Sequence, residues 1–150
     1  MGSAKTKESL QTIERECVAG RLRLINRVIT GLYDEALRPL DLKLSQMTLL
    51  VLASNLGVAR PADVCCALQM DPSTLSRNLE RMRAQGWIER LPGEDAREHC
   101  FGLTLEGKKL LRRAVPAWQR AQRNANALLG EKGAAALRRI ARNCSGKRQG

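Results

Sequence analysis

Apolar side chains recur at helical spacing near the start of the chain. Between about residues 7 and 37 they are Leu10, Ile13, Cys17, Leu22, Ile25, Val28, Ile29, Leu32, Tyr33 and Ala36. This spacing predicts one long amphipathic helix that Pro39 stops. A helix of about 30 residues is about 45 Å long, more than one small domain covers, so we expect it to pack against a second copy as well.

Two shorter helices are predicted next. Ser45–Leu56 is almost wholly apolar, which indicates a buried helix, and Gly57 closes it. Pro61–Gln69 begins with a proline, a residue suited to the first helical turn.

The clearest local signals surround a third short helix. Asp71 is a favourable N-cap, Pro72 suits the first helical position, and Gly86 follows the expected end at Gln85. Three apolar residues at i, i+4 and i+7 form its inward stripe: Leu75, Leu79 and Met82. The remaining face is polar and contains Ser73, Thr74, Ser76, Arg77, Glu80 and Arg81.

A β-hairpin is predicted after this helix. Its strands are Trp87–Leu91 and Arg97–Leu103, with turn residues at 92–96 between them. Three short helices followed by a hairpin form a winged helix-turn-helix pattern. The predicted fold is therefore mainly α with a small β-hairpin wing.

The remaining sequence predicts two further helices. Thr104 caps the first, which runs to about Leu129 and contains Pro116, expected to kink it because the ring removes a backbone donor. Gly130 and Gly133 bracket a break before a last helix at about 134–143.

The net charge of the chain and its uneven distribution indicate a polyanionic partner. The chain has 26 Lys and Arg against 15 Asp and Glu, a net charge of +11. Residues 1–71 hold 9 basic and 8 acidic residues, whereas residues 72–150 hold 17 and 7. This asymmetry favours nucleic-acid binding over a merely solvated basic surface. Only 3% of residues are aromatic, too few for the stacking platforms that bind single strands.

The polar face of the third short helix suits the major groove of duplex DNA. Small polar residues let a helix approach the bases closely, and arginines one turn apart reach base acceptors or phosphates. The candidates on this face are Ser73, Thr74, Ser76, Arg77 and Arg81. At the hairpin tip, Arg97 beside Asp95 places a cation where an adjacent minor groove is expected.

Signals for enzymatic or metal chemistry are missing from the sequence. The five cysteines are an odd number without a CxxC spacing, and His99 is the only histidine, so neither a metal site nor a thiol-based redox enzyme is predicted. We expect no enzymatic activity and no cofactor. Neither a spanning apolar run nor a signal-peptide pattern is present, so we expect a cytoplasmic, nucleoid-associated protein without membrane contact.

From about residue 8 to 143 the chain resembles the MarR family of transcriptional regulators. The residues that carry the resemblance are DPSTLSRNLERMRAQGWIER at 71–90, Asp95-x-Arg97 followed by Leu103-Thr104-x-x-Gly107, YDEALRPLDLKLSQ at 33–46 and AVPAWQRAQ at 114–122. The resemblance implies a homodimer with dimerisation helices at about 7–37 and 105–143. It also implies a winged helix-turn-helix lobe at about 45–104, and we expect a flexible tail at 144–150.

The resemblance implies a function as well. Ser73, Thr74, Ser76 and Arg77 are expected in the major groove and Arg97 in the minor groove of a pseudo-palindromic operator. We expect a sequence-specific regulator of transcription, a repressor that a small phenolic or anionic effector or an oxidant releases from double-stranded DNA.

Two alternatives stay open. One is a thiol-based redox sensor acting through Cys17, although alignment through Tyr33 and Gln46 puts the cysteine of peroxide-sensing relatives near Ala19. The other is a nonspecific architectural DNA binder driven by charge alone.

The chain departs from the family pattern before the second helix. The family usually has glycine and then threonine or serine where this chain has Asp41 and Lys43. Aspartate tolerates the left-handed conformation, so Asp41 is expected to replace the glycine. Lysine lacks a capping acceptor, so the helix is predicted to begin later, capped by Ser45.

Overall fold

The computed structural model describes residues 2–93 and 99–146, which form helices and one antiparallel hairpin. The helices are α1 (Gly2–Glu16), α2 (Val18–Leu37), α3 (Leu44–Leu56), α4 (Pro61–Leu68), α5 (Pro72–Ala84) and α6 (Leu105–Gly146). The hairpin strands are β1 (Ile88–Pro92) and β2 (His99–Leu103), and a 3₁₀ turn, Arg38–Leu40, follows α2. The predicted fold class, mainly α with a small hairpin, is confirmed.

The core is built around α3. Leu49, Leu50 and Ala53 of this helix are at most 1% exposed, and α3 contacts α2, α6 and β2. A row of buried alanines on α6 joins the same core: Ala114, Ala117, Ala121 and Ala125. The nearly continuous apolar sequence of α3 therefore reflects burial on several sides, as predicted.

The hairpin is anchored to the segment before α4. In its register Ile88 pairs with Leu103 and Arg90 with Phe101. Ala59 and Phe101 exchange two backbone hydrogen bonds of 2.8 and 3.0 Å, which adds a one-residue bridge to the outer side of β2. The base of the hairpin is thereby fixed to the helical lobe.

The start of α6 closes against the end of α5. The Thr104 hydroxyl accepts a hydrogen bond from Gly107 N at 3.0 Å, which confirms the predicted cap, and donates one to Gly86 O at 2.6 Å. A Cβ on Gly107 would stand 2.0 Å from Trp87 O, so only glycine fits there. These contacts hold the hairpin, α5 and α6 together at one point.

The interruption of α6 lies at Gly130, whose φ of 68° and ψ of 165° are outside the helical region. The residue expected to kink the helix, Pro116, keeps helical dihedral angles. It lies on an exposed side of α6, where water can hydrate the carbonyl left without a donor. The helix continues to Gly146, past the predicted end near 143, and residues 147–150 lie outside the described part.

The prediction of one continuous helix over 7–37 is wrong at Cys17. This residue has φ −60° and ψ 110° and separates α1 from α2. Side chains from Thr6 to Glu16 are exposed, so no tertiary packing enforces helix continuity there. Cysteine is a weak helix former, and a local break in such a segment costs little.

The predicted start of α3 is also wrong, because the helix begins at Leu44 rather than after a Ser45 cap. Asp34 Oδ1 accepts from Leu44 N at 2.8 Å, and Gln46 Oε1 accepts from Lys43 N at 2.9 Å. The Asp34 carboxylate on α2 therefore satisfies one of the backbone N–H groups at the start of α3, as a local capping side chain would. Asp41 is left-handed, with φ 51° and ψ 35°, as predicted.

Candidate DNA-binding surface

The N-terminus of α5 is built by the Asp71 carboxylate. Its Oδ2 accepts from the backbone of Ser73 at 3.0 Å and of Thr74 at 3.1 Å, and from the Ser73 hydroxyl as well. These bonds satisfy donors that a helix start otherwise leaves free. The Ser73 hydroxyl, then the Thr74 backbone, lower the pKa of Asp71, with a smaller contribution from Arg77.

The two faces of α5 are separated as the sequence predicts. Leu75 and Met82 are at most 1% exposed and Leu79 is half-buried, so this stripe joins the core. The exposed side chains on the other face are Ser73, Ser76, Arg77, Glu80 and Arg81. Thr74 is half-buried at the edge of this face, and its carbonyl accepts from Asn78 Nδ2 at 3.0 Å.

Both arginines of the predicted site are available to a ligand. Arg77 and Arg81 are exposed, and within residues 2–93 and 99–146 neither guanidinium group takes part in a hydrogen bond or an ion pair. The structure thus brings together the predicted helix residues on one open surface. The two predicted hairpin-tip residues, Asp95 and Arg97, lie outside the described residues.

Two cavities flank α5. The first, of about 440 Å³, lies between α4, α5 and the hairpin and is lined by Leu79 and Arg83, among others. The second, of about 570 Å³, lies between α2, the start of α3 and the end of α5, and is lined by Arg81 and Gln85. The helical period of α5 predicts which of its residues lie on each side of the helix. The elements that complete the two cavities come from distant parts of the sequence, so the cavities themselves do not follow from that period.

The cysteines differ in environment. Cys17 is exposed at the break between α1 and α2, rather than within an apolar stripe, and Cys144 is exposed. Cys65 is half-buried and Cys100 is buried, whereas Cys66 is exposed. In the described part of the chain, no three His, Cys, Asp or Glu side chains are grouped so as to hold a metal ion.

None of the helices in the described residues combines the length and apolar character needed to cross a bilayer.

A three-helix lobe that ends in a hairpin and exposes a polar helix face is a winged-helix DNA-binding fold. Solved structures agree: a MarR variant from E. coli in complex with operator DNA has a TM-score of 0.79, with 24% identity, and the alignment covers 89% of this chain and 96% of that one. At that identity the similarity supports the fold.

A solved structure with a higher sequence identity, together with a family model, identifies the family. The transcriptional regulator MOSR of M. tuberculosis, in complex with DNA, is 32% identical with a TM-score of 0.75, covering 87% of this chain and 94% of that one. The model of the MarR family matches residues 41–98. The chain belongs to the MarR family.

Curated relatives support the same assignment. The multiple antibiotic resistance protein MarR of Salmonella typhimurium is 34% identical over 90 residues, which are 59% of this chain and 62% of that protein. The chain spans about three fifths of the length of the first curated relatives it matches. MOSR is named as a transcriptional regulator, and none of the similar proteins named here carries the name of an enzyme.

Proposed function

We propose that this protein is a homodimeric, sequence-specific regulator of transcription that binds double-stranded DNA through α5 and the hairpin. The observation that carries the proposal is the open polar face of α5, with two unpaired arginines, in a lobe whose 32%-identical relative was solved with DNA. Such a regulator acts in the cytoplasm at the nucleoid and needs no enzymatic activity.

The helix residues have distinct proposed roles. Ser73, Thr74 and Ser76 are short enough to let the start of α5 enter a major groove about 12 Å wide. Arg77 and Arg81 reach base edges or phosphates from the next turn, where a bidentate arginine–guanine contact contributes about 1–3 kcal/mol of discrimination. Asp95 and Arg97 are proposed to reach the adjacent minor groove, by sequence position alone.

The exposed apolar residues near both chain ends support the proposed homodimer. Those exposed by 40% or more are Leu10, Ile13, Val18, Leu22, Leu24, Ile25, Val28, Leu128 and Ile140. Full burial of one such side chain contributes about 1.5–3 kcal/mol, so a second copy covering several of them forms a stable pair. We expect sedimentation to give twice the protomer mass of 16.6 kDa, and a single protomer at micromolar concentration contradicts the dimer.

Selection of bound duplexes from a random library, followed by footprinting, tests the proposed DNA binding. We expect a two-fold symmetric site with half-sites about one helical turn apart. Arg77→Ala should weaken binding to the selected site by about 1–3 kcal/mol and relax its sequence preference. Arg83→Ala removes the same charge from the flank of α5 that faces the first cavity, and it should have a much smaller effect.

The same experiment distinguishes sequence-specific binding from the alternative of a nonspecific architectural DNA binder. A binder driven by charge alone loses the same affinity for every sequence when either arginine is replaced. Equal losses on selected and scrambled duplexes would therefore refute sequence-specific reading.

We further propose that the protein represses its target and that a small phenolic or anionic compound releases it. Support comes from the two cavities beside α5, because volumes of about 300–1,000 Å³ suit small organic ligands. Titration of phenolic carboxylates into a labelled protein–operator complex should lower its anisotropy. If no compound both binds the protein and displaces it from DNA, release by such ligands is wrong.

Oxidant sensing through Cys17 is a second candidate for regulation. The observation in its favour is that this thiol is exposed at a helix break in the protomer. Peroxide should then abolish operator binding by the wild type but not by Cys17→Ser. Equal sensitivity of the two proteins contradicts this candidate.

A further inference from the structure

The excess positive charge of the protein lies mainly on α6 rather than on α5. From Asp71 to Gln85, three arginines face two acidic residues. From Leu105 to Leu129, six basic residues face the single acidic residue Glu106. The charge asymmetry of the sequence therefore marks a different surface from the helix proposed to read bases.

The six basic side chains share the outward face of α6, which we call the α6 basic face. They are Lys108, Lys109, Arg112, Arg113, Arg120 and Arg123, and all are exposed. At 100° per residue Lys108, Arg112 and Arg123 lie opposite the buried row that includes Leu110, Ala114 and Ala117, whereas the other three lie on one flank. Between Lys108 and Arg123 the face is about 22 Å long at 1.5 Å per residue.

Most of this charge is not neutralised within the chain. Lys109 Nζ forms an ion pair with Glu106 Oε1 at 2.7 Å. Within the residues that the structure describes, the other five make no ion pair. Five like charges on one helix repel one another, so an anionic partner that spans several turns lowers the free energy of this face.

The surroundings of the α6 basic face indicate which kind of partner fits. A membrane is disfavoured, because the apolar side of α6 is buried against α2 and α3 and cannot enter a bilayer. A second copy is expected on the exposed apolar residues near the chain ends. The predicted dimerisation helix at about 105–143 includes the basic face, but the members of that apolar set on α6, Leu128 and Ile140, both lie beyond Arg123. A regular polyanion with closely spaced phosphates matches a straight row of cations.

We propose that the α6 basic face binds the phosphate backbone of duplex DNA outside the sequence read by α5. The proposal rests on the proposed function, which brings DNA to the protein. α5 packs against α4 and β1, whereas α6 packs against α2, α3 and β2, so the two surfaces belong to elements with different neighbours in the lobe. DNA that contacts both surfaces extends beyond the operator and bends around the lobe.

The test compares two duplexes that carry the same selected operator. One is about 20 bp long, two helical turns, and the other has about 15 bp of unrelated sequence added at each end. The variant replaces three unpaired members of the face together: Lys108→Gln, Arg112→Gln and Arg123→Gln. Glutamine is as good a helix former as lysine or arginine, so the fold is retained.

The quantity to be measured is the dependence of the DNA-binding constant on salt concentration. Each neutralised phosphate contributes about 0.9 to the slope of log K against log salt, so the triple variant should lose up to about 2.7 per protomer on the long duplex. Its slope and affinity on the short duplex should match those of the wild type. The control exchanges the cations at the same positions, Lys108→Arg, Arg112→Lys and Arg123→Lys, and should retain the wild-type slope on both.

Three outcomes overturn the proposal. The first is equal slopes for wild type and triple variant on the long duplex while the operator is still bound specifically. The second is an equal loss on both duplexes, which places the three cations at the operator itself. The third is tighter binding of the wild type to anionic vesicles or single-stranded RNA than to the flanking duplex. Failure of specific binding to any operator instead refutes the proposed function.

Discussion

Replacing Thr104 with valine tests the junction between α5, the hairpin and α6. The Thr104 hydroxyl donates to Gly86 O at 2.6 Å and accepts from Gly107 N at 3.0 Å. Valine has nearly the same shape and removes both bonds. Because Gly107 is buried, its N–H is left without a partner and without water.

The expected loss follows from these two bonds. An N-cap threonine contributes about 1 kcal/mol to stability. The second hydrogen bond contributes about 0.5–1.5 kcal/mol. Thr104→Val should therefore lower the free energy of unfolding by about 2 kcal/mol, or the Tm by about 4–8 °C for a domain of this size.

Urea denaturation at one fixed protomer concentration measures this loss, because the stability of a dimer depends on concentration. Thr104→Ser keeps the hydroxyl and is the matched control, expected within about 0.5 kcal/mol of the wild type. The reasoning is refuted if valine changes stability by less than that, or if serine is as destabilising as valine.

Further predictions concern Asp71 and two glycines. The folded-state pKa of Asp71 is lowered, so its stabilising effect is present above the ordinary aspartate pKa and is lost as pH falls through the folded value. Asp71→Asn, which keeps an acceptor, should weaken this pH dependence of Tm, and an unchanged profile contradicts it. Gly107→Ala should cost about 1–3 kcal/mol or more, because its Cβ meets Trp87 O. The control Gly31→Ala, a helical site with open space, should instead stabilise by about 0.5–1 kcal/mol in thermal unfolding.

Elements with local signals could be predicted from the sequence. The Asp71-Pro72 start of α5 and its end near Gly86 need only neighbouring residues, and both are where the sequence predicts them. The same holds for the Thr104 cap and the interruption at Gly130. The polar face of α5 followed directly, because its helical period assigns each residue to a side.

Features that depend on distant partners could not be predicted in the same way. The start of α3 depends on Asp34, ten residues away on another helix, so a search for a local cap selected Ser45 instead. The cavities beside α5 join elements from separate parts of the chain. The sequence puts Lys108, Lys109, Arg112 and Arg113 on the helix after Thr104, but which of them are exposed and without an ion pair depends on how that helix packs.

The geometry of Gly130 has a mechanical consequence. Its dihedral angles belong to a region that glycine alone occupies readily, so one residue fixes the direction of the last part of α6. The stretch from Glu131 to Gly146 is a lever of about 24 Å at 1.5 Å per residue. A swing of about 10° at the pivot displaces its tip by about 4 Å, more than one base-pair step of 3.4 Å. In the proposed dimer, a contact between that tip and the second copy would make the torsion of a single residue set the separation at which the two lobes meet successive turns of DNA.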